Sequence, residues 1–396
     1  MKNHKTRNSL LALAGLASLC VYILACTSFS PDDSQVLYPV LDPDTGATGL
    51  AVYDRETRRS ETVFLPLAYD SGQSNTWTPG PVISRAQWLA DGHRILIASP
   101  ETKGKDDGLS LTLLPWKERL PIKVFHLAEW KDATPSLLLP LCVVGEHLFL
   151  NSSGMDVPRI DLKSGTITHR LLPGDAKEVV LLPSPDEKEV FYLESFDAPD
   201  TKTVLGRLNP DSFEQTPLLV LTNESLGHGL FACYPRGPRL ALLESEGETN
   251  RLRVFQPGKA PRLRALGGPG EKEIFSSLGF FPKGDRLWAT FMKRAAGAKT
   301  VTCGFIEIPL DESPVRETAL FTLAQAKDGD NACLFQGAVS HDGRTAAVAS
   351  TYLACDNEAF DPANCALFLV DLKDPARKIT KVPVPMPKRS TSSEGK

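Results

Sequence analysis

The sequence predicts an all-β fold, a single ring of small four-stranded antiparallel sheets, and three observations lead to it. Apolar clusters beyond residue 35 are short and are broken by Gly, Pro, Asp and Asn, as strands and turns require. Thirty-one Pro and 29 Gly in 396 residues suit tight turns better than long helices. A strand–turn–strand unit also recurs, with turns centred at 92, 145, 187, 237, 284 and 343, spaced by 53, 42, 50, 47 and 59 residues.

The clearest copies are 87–99, turning at Asp91-Gly92, and 337–350, turning at Asp342-Gly343. Three weaker copies turn near Asp186, Gly237 and Gly284, and a degenerate one turns at Gly145. Each copy is followed by a second strand pair, often with a central Asp such as Asp161 or Asp371. The segment 50–57 reads as such a second half without its first, a partial unit spanning 36–66. Asp-Gly in a two-residue hairpin supplies the positive φ of the favoured tight turns. One sheet of this size leaves a face unburied, and stacking sheets around an axis buries it.

The Pro-Asp-Gly hairpin with an aromatic before it resembles the TolB-type, WD-like repeat, over roughly 83–372. The resemblance implies a β-propeller across 36–386, with seven blades, or six as the alternative. Only two copies keep Asp-Gly and only one keeps the preceding Trp, Trp88. Two packed β-sandwiches are the competing architecture.

The N-terminus carries an address. Lys2, Lys5 and Arg7 precede an uncharged apolar run from Leu10 to Ala25, too short for the about 20 residues of a spanning helix. The run closes on Ile23-Leu24-Ala25-Cys26, which resembles the bacterial lipobox. That resemblance implies signal-peptidase recognition of Ile23, Leu24 and Ala25, acylation of the Cys26 thiol and cleavage before Cys26. Several acyl chains anchor far more firmly than one. An uncleaved anchor and an ordinary secretory signal are the alternatives.

The expected organisation is a signal peptide (1–25), a polar lipidated tether (26–35), the propeller and a disordered tail (387–396). Residues 1–25 hold three cations and no acids, so their loss takes the net charge from −4 to −7. Thr27, rather than Asp, after the acylated Cys resembles lipoproteins sent to the outer membrane of a two-membrane cell. The expected location is the cell envelope, on the periplasmic or outer surface. The acidic balance argues against nucleic acid.

Export permits disulfides. Cys355 and Cys365 enclose a short polar loop and are the first expected pair, with Cys303 and Cys333 second; Cys142 and Cys233 read as small buried hydrophobes. The sequence lacks a Gly-x-Ser-x-Gly elbow, a His-Glu-x-x-His motif and a P-loop. His93 and His341 flank turns and read as exposed turn residues. Asp328 and Asp330, and Asp356 with Asp361, are weak calcium candidates outside the EF-hand frame, and turn chemistry explains them without metal. No cofactor is expected. Trp77 is expected to tuck between blades. The functional expectation is a non-catalytic scaffold binding a protein or envelope ligand. The alternative is a propeller hydrolase or lyase acting on an envelope polysaccharide or peptide.

Overall fold

The computed structural model describes residues 27–383, apart from 42–47, 65–77, 80–82, 84, 104–105, 120, 122, 128–140, 151–155, 173–177, 184–188, 197–200, 223–229, 235–237, 247–248, 268–270, 296, 325–332 and 353–364. These residues form seven antiparallel sheets, each built from consecutive strands. The protein is a seven-bladed β-propeller, with blades at 28–64, 78–127, 142–171, 178–222, 230–266, 271–324 and 333–383. In blade 2 the innermost position is shared by Thr78–Pro79 and Arg85–Trp88, which pair with the same neighbour. Trp77 lies outside the described residues, as does the tail.

Alternation along each strand sends successive side chains to opposite faces, and both faces pack. Seven apolar clusters result, one at every junction between blades. Blades 1 and 2 meet through Leu37, Val52, Trp88 and Ile97; blades 2 and 3 through Leu96, Leu111, Val143 and Ile160. The set continues with Phe149 against Tyr192, Leu193 against Leu242, Leu252 against Phe291 and Phe305 against Phe368. Blades 7 and 1 complete it with Leu367, Val348's neighbour Ala349, Tyr38 and Phe29.

The turns between first and second strands, and between third and fourth strands, all lie on one face of the ring, termed the hairpin face. The remaining connections define the loop face. In blades 1, 2, 6 and 7 the first turns are longer than the two-residue form expected. Leu89 N donates to Arg94 O at 2.9 Å, enclosing four residues, and only Gly92 takes a positive φ, of 68°. Asp91 instead caps the turn, its Oδ1 accepting from His93 N at 2.7 Å and Arg94 N at 2.9 Å. Gly284 and Gly343 repeat the left-handed position at 67° and 69°. Asp186 and Gly237 lie outside the described residues.

One expectation is corrected. The segment 27–34 is not a free tether but the start of blade 1. Ser28–Phe29 pairs with Gln35–Leu41 in register Ser28↔Leu37 and Phe29↔Val36. Its turn duplicates that of blade 7. Ser30 Oγ donates to Asp32 Oδ1 at 2.6 Å and accepts from Gln35 N at 3.0 Å. Ser340 Oγ does the same to Asp342 Oδ1 at 2.7 Å and from Thr345 N at 2.9 Å. Blade 1 is therefore complete, and it begins before residue 36.

Among the described residues no strand is shared between the first and last blades, and side chains join them across the seam. Asp33 occupies the glycine position of its turn, at φ 59°. Its carboxylate crosses to blade 7, accepting from His341 N at 2.9 Å, Asp342 N at 3.0 Å and lying 2.8 Å from His341 Nδ1. Arg55 donates to Asp33 O at 2.6 Å and to Thr345 Oγ1 at 2.9 Å. Burial alone would raise the Asp33 pKa, but the His341 and Asp342 hydrogen bonds outweigh it and hold the carboxyl below its ordinary value.

Asp33→Gly tests the seam. Relief of the left-handed φ returns about 1 kcal/mol, whereas three lost hydrogen bonds cost about 0.5–1.5 kcal/mol each. A net loss of about 1–3 kcal/mol is expected in denaturant titration at pH 7. Because the folded pKa is depressed, this contribution is present above the unfolded value of 3.8 and fades as pH falls through the folded one. A variant as stable as the parent at pH 7 would refute this role.

Candidate functional site

Blade 3 is the smallest of the seven, and the reason is local. Its first two strands, Cys142–Val144 and His147–Phe149, are three residues each, joined by a two-residue turn with Gly145 at φ 59°. The corresponding strands of blade 4, Glu178–Pro183 and Val190–Phe196, have six and seven. A groove of about 560 Å³ opens on the face that blade 4 turns toward blade 3. Tyr192, Glu194, Phe196, Lys202, Phe213 and Gln215 line it.

Period-two alternation puts Tyr192, Glu194 and Phe196 on one face of their strand. Tyr192 leans across Gly206, where a Cβ would fall 2.2 Å from the ring. Tyr192 is 1 % exposed and belongs to the blade 3–4 cluster with Phe213, whose ring meets Phe149 edge-on at 5.9 Å. Arg159 of blade 3 lies over Phe213 at 5.5 Å and donates to Pro210 O at 3.0 Å, fixing that wall. Lys202 lies over the Phe196 ring at 4.2 Å.

Glu194 is the chemical centre of the groove. It is 5 % exposed, and burial raises its pKa, a shift that the Gln215 hydrogen bond and the Lys202 charge only partly offset. Gln215 Nε2 donates to Glu194 Oε1. A carboxylate kept in an aromatic groove is a strong acceptor for an incoming N–H or O–H donor. Burial also pushes the Tyr192 hydroxyl up to about 12, keeping it neutral. Period-two spacing of 192, 194 and 196 was the one signal of this site in the sequence.

The residues singled out from sequence do not converge here. Ile23, Leu24, Ala25, Cys26, Cys355, Asp328, Asp330, Asp356 and Asp361 lie outside the described residues. His341 serves the ring seam, and His93 lies beside the blade 2 turn. Cys303 is wholly buried between blades 6 and 7, and Cys365 packs against the same cluster. No disulfide joins Cys142, Cys233, Cys303 and Cys365; of the expected second pair, Cys303 sits in a third strand and Cys333 begins an innermost one, its side chain outside the described residues. Cys142 is buried, as expected of a small hydrophobe, and burial pushes the Cys233 thiol up to about 12. Among the described residues, no group of three His, Cys, Asp or Glu is arranged to hold a metal ion.

No protein-family profile matches the sequence, and no curated protein does so. Solved structures do. A structure from a study of two prolyl endopeptidases matches with a TM-score of 0.54 and 12% identity, over 96% of this chain and 55% of that one. The chain thus spans about half the length of that relative. A putative 6-phosphogluconolactonase from Bacteroides fragilis matches at TM-score 0.44 and 12% identity, over 89% and 95% of the two chains. The β-propeller domain of Myceliophteria thermophila Cps50 (Swd1) matches at 0.39 and 13%, over 67% and 92%. At such identities the likeness is one of fold alone.

Glu194→Gln is expected to raise the melting temperature at pH 7 and to leave it nearly unchanged at pH 4. A carboxyl whose pKa is raised on folding costs stability once the pH exceeds its unfolded value, 4.5, and the amide removes that cost. Differential scanning calorimetry across this range reads the effect; a pH-independent difference would show that Glu194 does not titrate under desolvation.

Proposed function

We propose that the chain is a lipid-anchored, TolB-type binding propeller of the bacterial envelope, and that the blade 3–4 groove receives an extended segment of a protein ligand. The observation carrying this reading is the buried Glu194 carboxylate between Tyr192, Phe196 and Phe213. An apolar ligand side chain fits the aromatic walls, and a ligand N–H finds its acceptor on Glu194. Val220, 53 % exposed on the outermost strand of blade 4, extends the apolar surface beside the groove. That strand, Gln215–Thr222, is a sheet edge and offers backbone groups to an extended partner. Nothing in the groove pairs a nucleophile with a base, so binding is the function its geometry favours over hydrolysis.

The anchor reading rests on Ile23-Leu24-Ala25-Cys26 and the cationic start of the chain. Acylation holds the ring at the membrane, where a groove on its rim meets ligands from the side.

Two measurements test these readings. A photo-crosslinking residue at Val220 is expected to form an adduct in intact cells that is reduced at least severalfold by Phe196→Ala. The same probe at exposed Leu263 of blade 5 serves as control. Equal adducts at both positions, or indifference to Phe196, would remove the groove from the function. For the anchor, Cys26→Ser is expected to accumulate precursor and lose palmitate labelling; a labelled variant would exclude Cys26.

A further inference from the structure

We infer that the blade 3–4 groove receives a lysine or arginine side chain of its ligand, with the cationic head at Glu194 and the apolar stem along Val220 and Val204. This rests on the groove being the binding site proposed above.

The register of blade 4 lays out the path. Val220 pairs with Val204 and Val204 with Glu194, so the three stand in one row running inward from the outermost strand, and all three line the groove. A ligand strand added to the Gln215–Thr222 edge would lie three strand spacings, about 14 Å, from the backbone of Glu194. A long side chain is needed to cross that distance. The two valines supply an apolar floor of the kind on which Lys and Arg lay their stems while the charged head reaches further.

Three observations make the head a cation. The first is the state of Glu194, which is 5 % exposed. Gln215 donates to its Oε1, and none of the described residues donates to its Oε2. A neutral acceptor would hold a ligand amide equally well. A buried carboxylate carries a desolvation cost that an arriving opposite charge offsets. The second is that the groove already seats an ammonium group. Lys202 Nζ lies over the Phe196 ring at 4.2 Å and acts on Glu194 through its charge, without a hydrogen bond. The third is the balance of charge. Two carboxylates, Glu194 and the exposed Glu214, line the groove with one ammonium, Lys202, which leaves a charge of −1 for one ligand cation to match. An apolar side chain of the same length would fill the floor and bury Glu194 further without a partner, so the groove discriminates against it.

The experiment measures fluorescence anisotropy of labelled peptides on the full-length protein. The peptides read Ala-Thr-Val-Xaa-Val-Thr-Ala, with Lys, Arg or norleucine at the centre. The tighter of the two cationic peptides is expected to bind roughly tenfold better than the norleucine one, and Glu194→Gln is expected to remove that advantage. Lys202→Gln, which clears the resident cation, is expected to strengthen the cationic peptides at least twofold. Norleucine binding as tightly as Lys and Arg, or a preference that survives Glu194→Gln, overturns the cation and leaves the groove standing as an apolar peptide site. Absence of binding by all three peptides, or binding indifferent to Phe196→Ala, overturns the groove and the cation together.

Discussion

The structure depends on closing a ring whose first and last blades share no strand among the described residues. Each blade is built from consecutive strands, so the chain's two ends meet only as neighbouring blades. Phe29, Tyr38 and Tyr53 pack against Leu367 and Leu369 there, and Asp33 and Arg55 stitch the hairpin face. Asp33 shows what the closure demands. Glycine fills the equivalent position in blades 2, 6 and 7, and here an Asp accepts the left-handed conformation because its carboxylate is needed across the seam. Every other junction inherits its alignment from this one, since seven wedges fill a circle only when the last meets the first.

Arginines repeat the stitching elsewhere on the hairpin face. Arg94 of blade 2 reaches Glu146 of blade 3 at 2.9 Å, and Arg239 of blade 5 donates to Gly284 O of blade 6. Between blades 6 and 7 the buried Glu307 receives Arg377 and lies 3.6 Å from Arg286, whose guanidinium covers Phe281 at 4.0 Å. These contacts sit at or near the strand ends beside the turns, so the blades can differ in strand length farther along without losing them. Blade 3, whose first two strands have three residues each, uses that freedom.

Much of the architecture was legible because the repeat writes itself into short-range chemistry. Gly92, Gly284 and Gly343 mark turns that need one left-handed residue, and alternating apolar residues mark strands packed on both faces. The first strand of blade 1 was missed for the same reason. Its turn, Ser30-Pro31-Asp32-Asp33, lacks the glycine, and the strand is two residues long, too short to show a period. The groove was not legible, since its walls come from strands and a turn that are separate in sequence, and Glu194 carries no sign in sequence that its carboxyl is buried.

The seam also sets a timetable for folding. Thr27 and Gln336 are 309 residues apart, so the contact between them waits on most of the chain. At about 5–20 residues per second of synthesis, the face of blade 1 that Leu367 and Leu369 will cover stays without its partner for roughly 15–60 s. Blades 1 to 6 can stack in order as they emerge, because each junction joins segments close in sequence. The growing protein is then an open arc with an apolar surface at each end, and one arc's trailing face is complementary to another's leading face. Two half-made copies can satisfy each other before either closes, so crowding of nascent chains, more than any weakness of the finished ring, is where this architecture is exposed to misassembly.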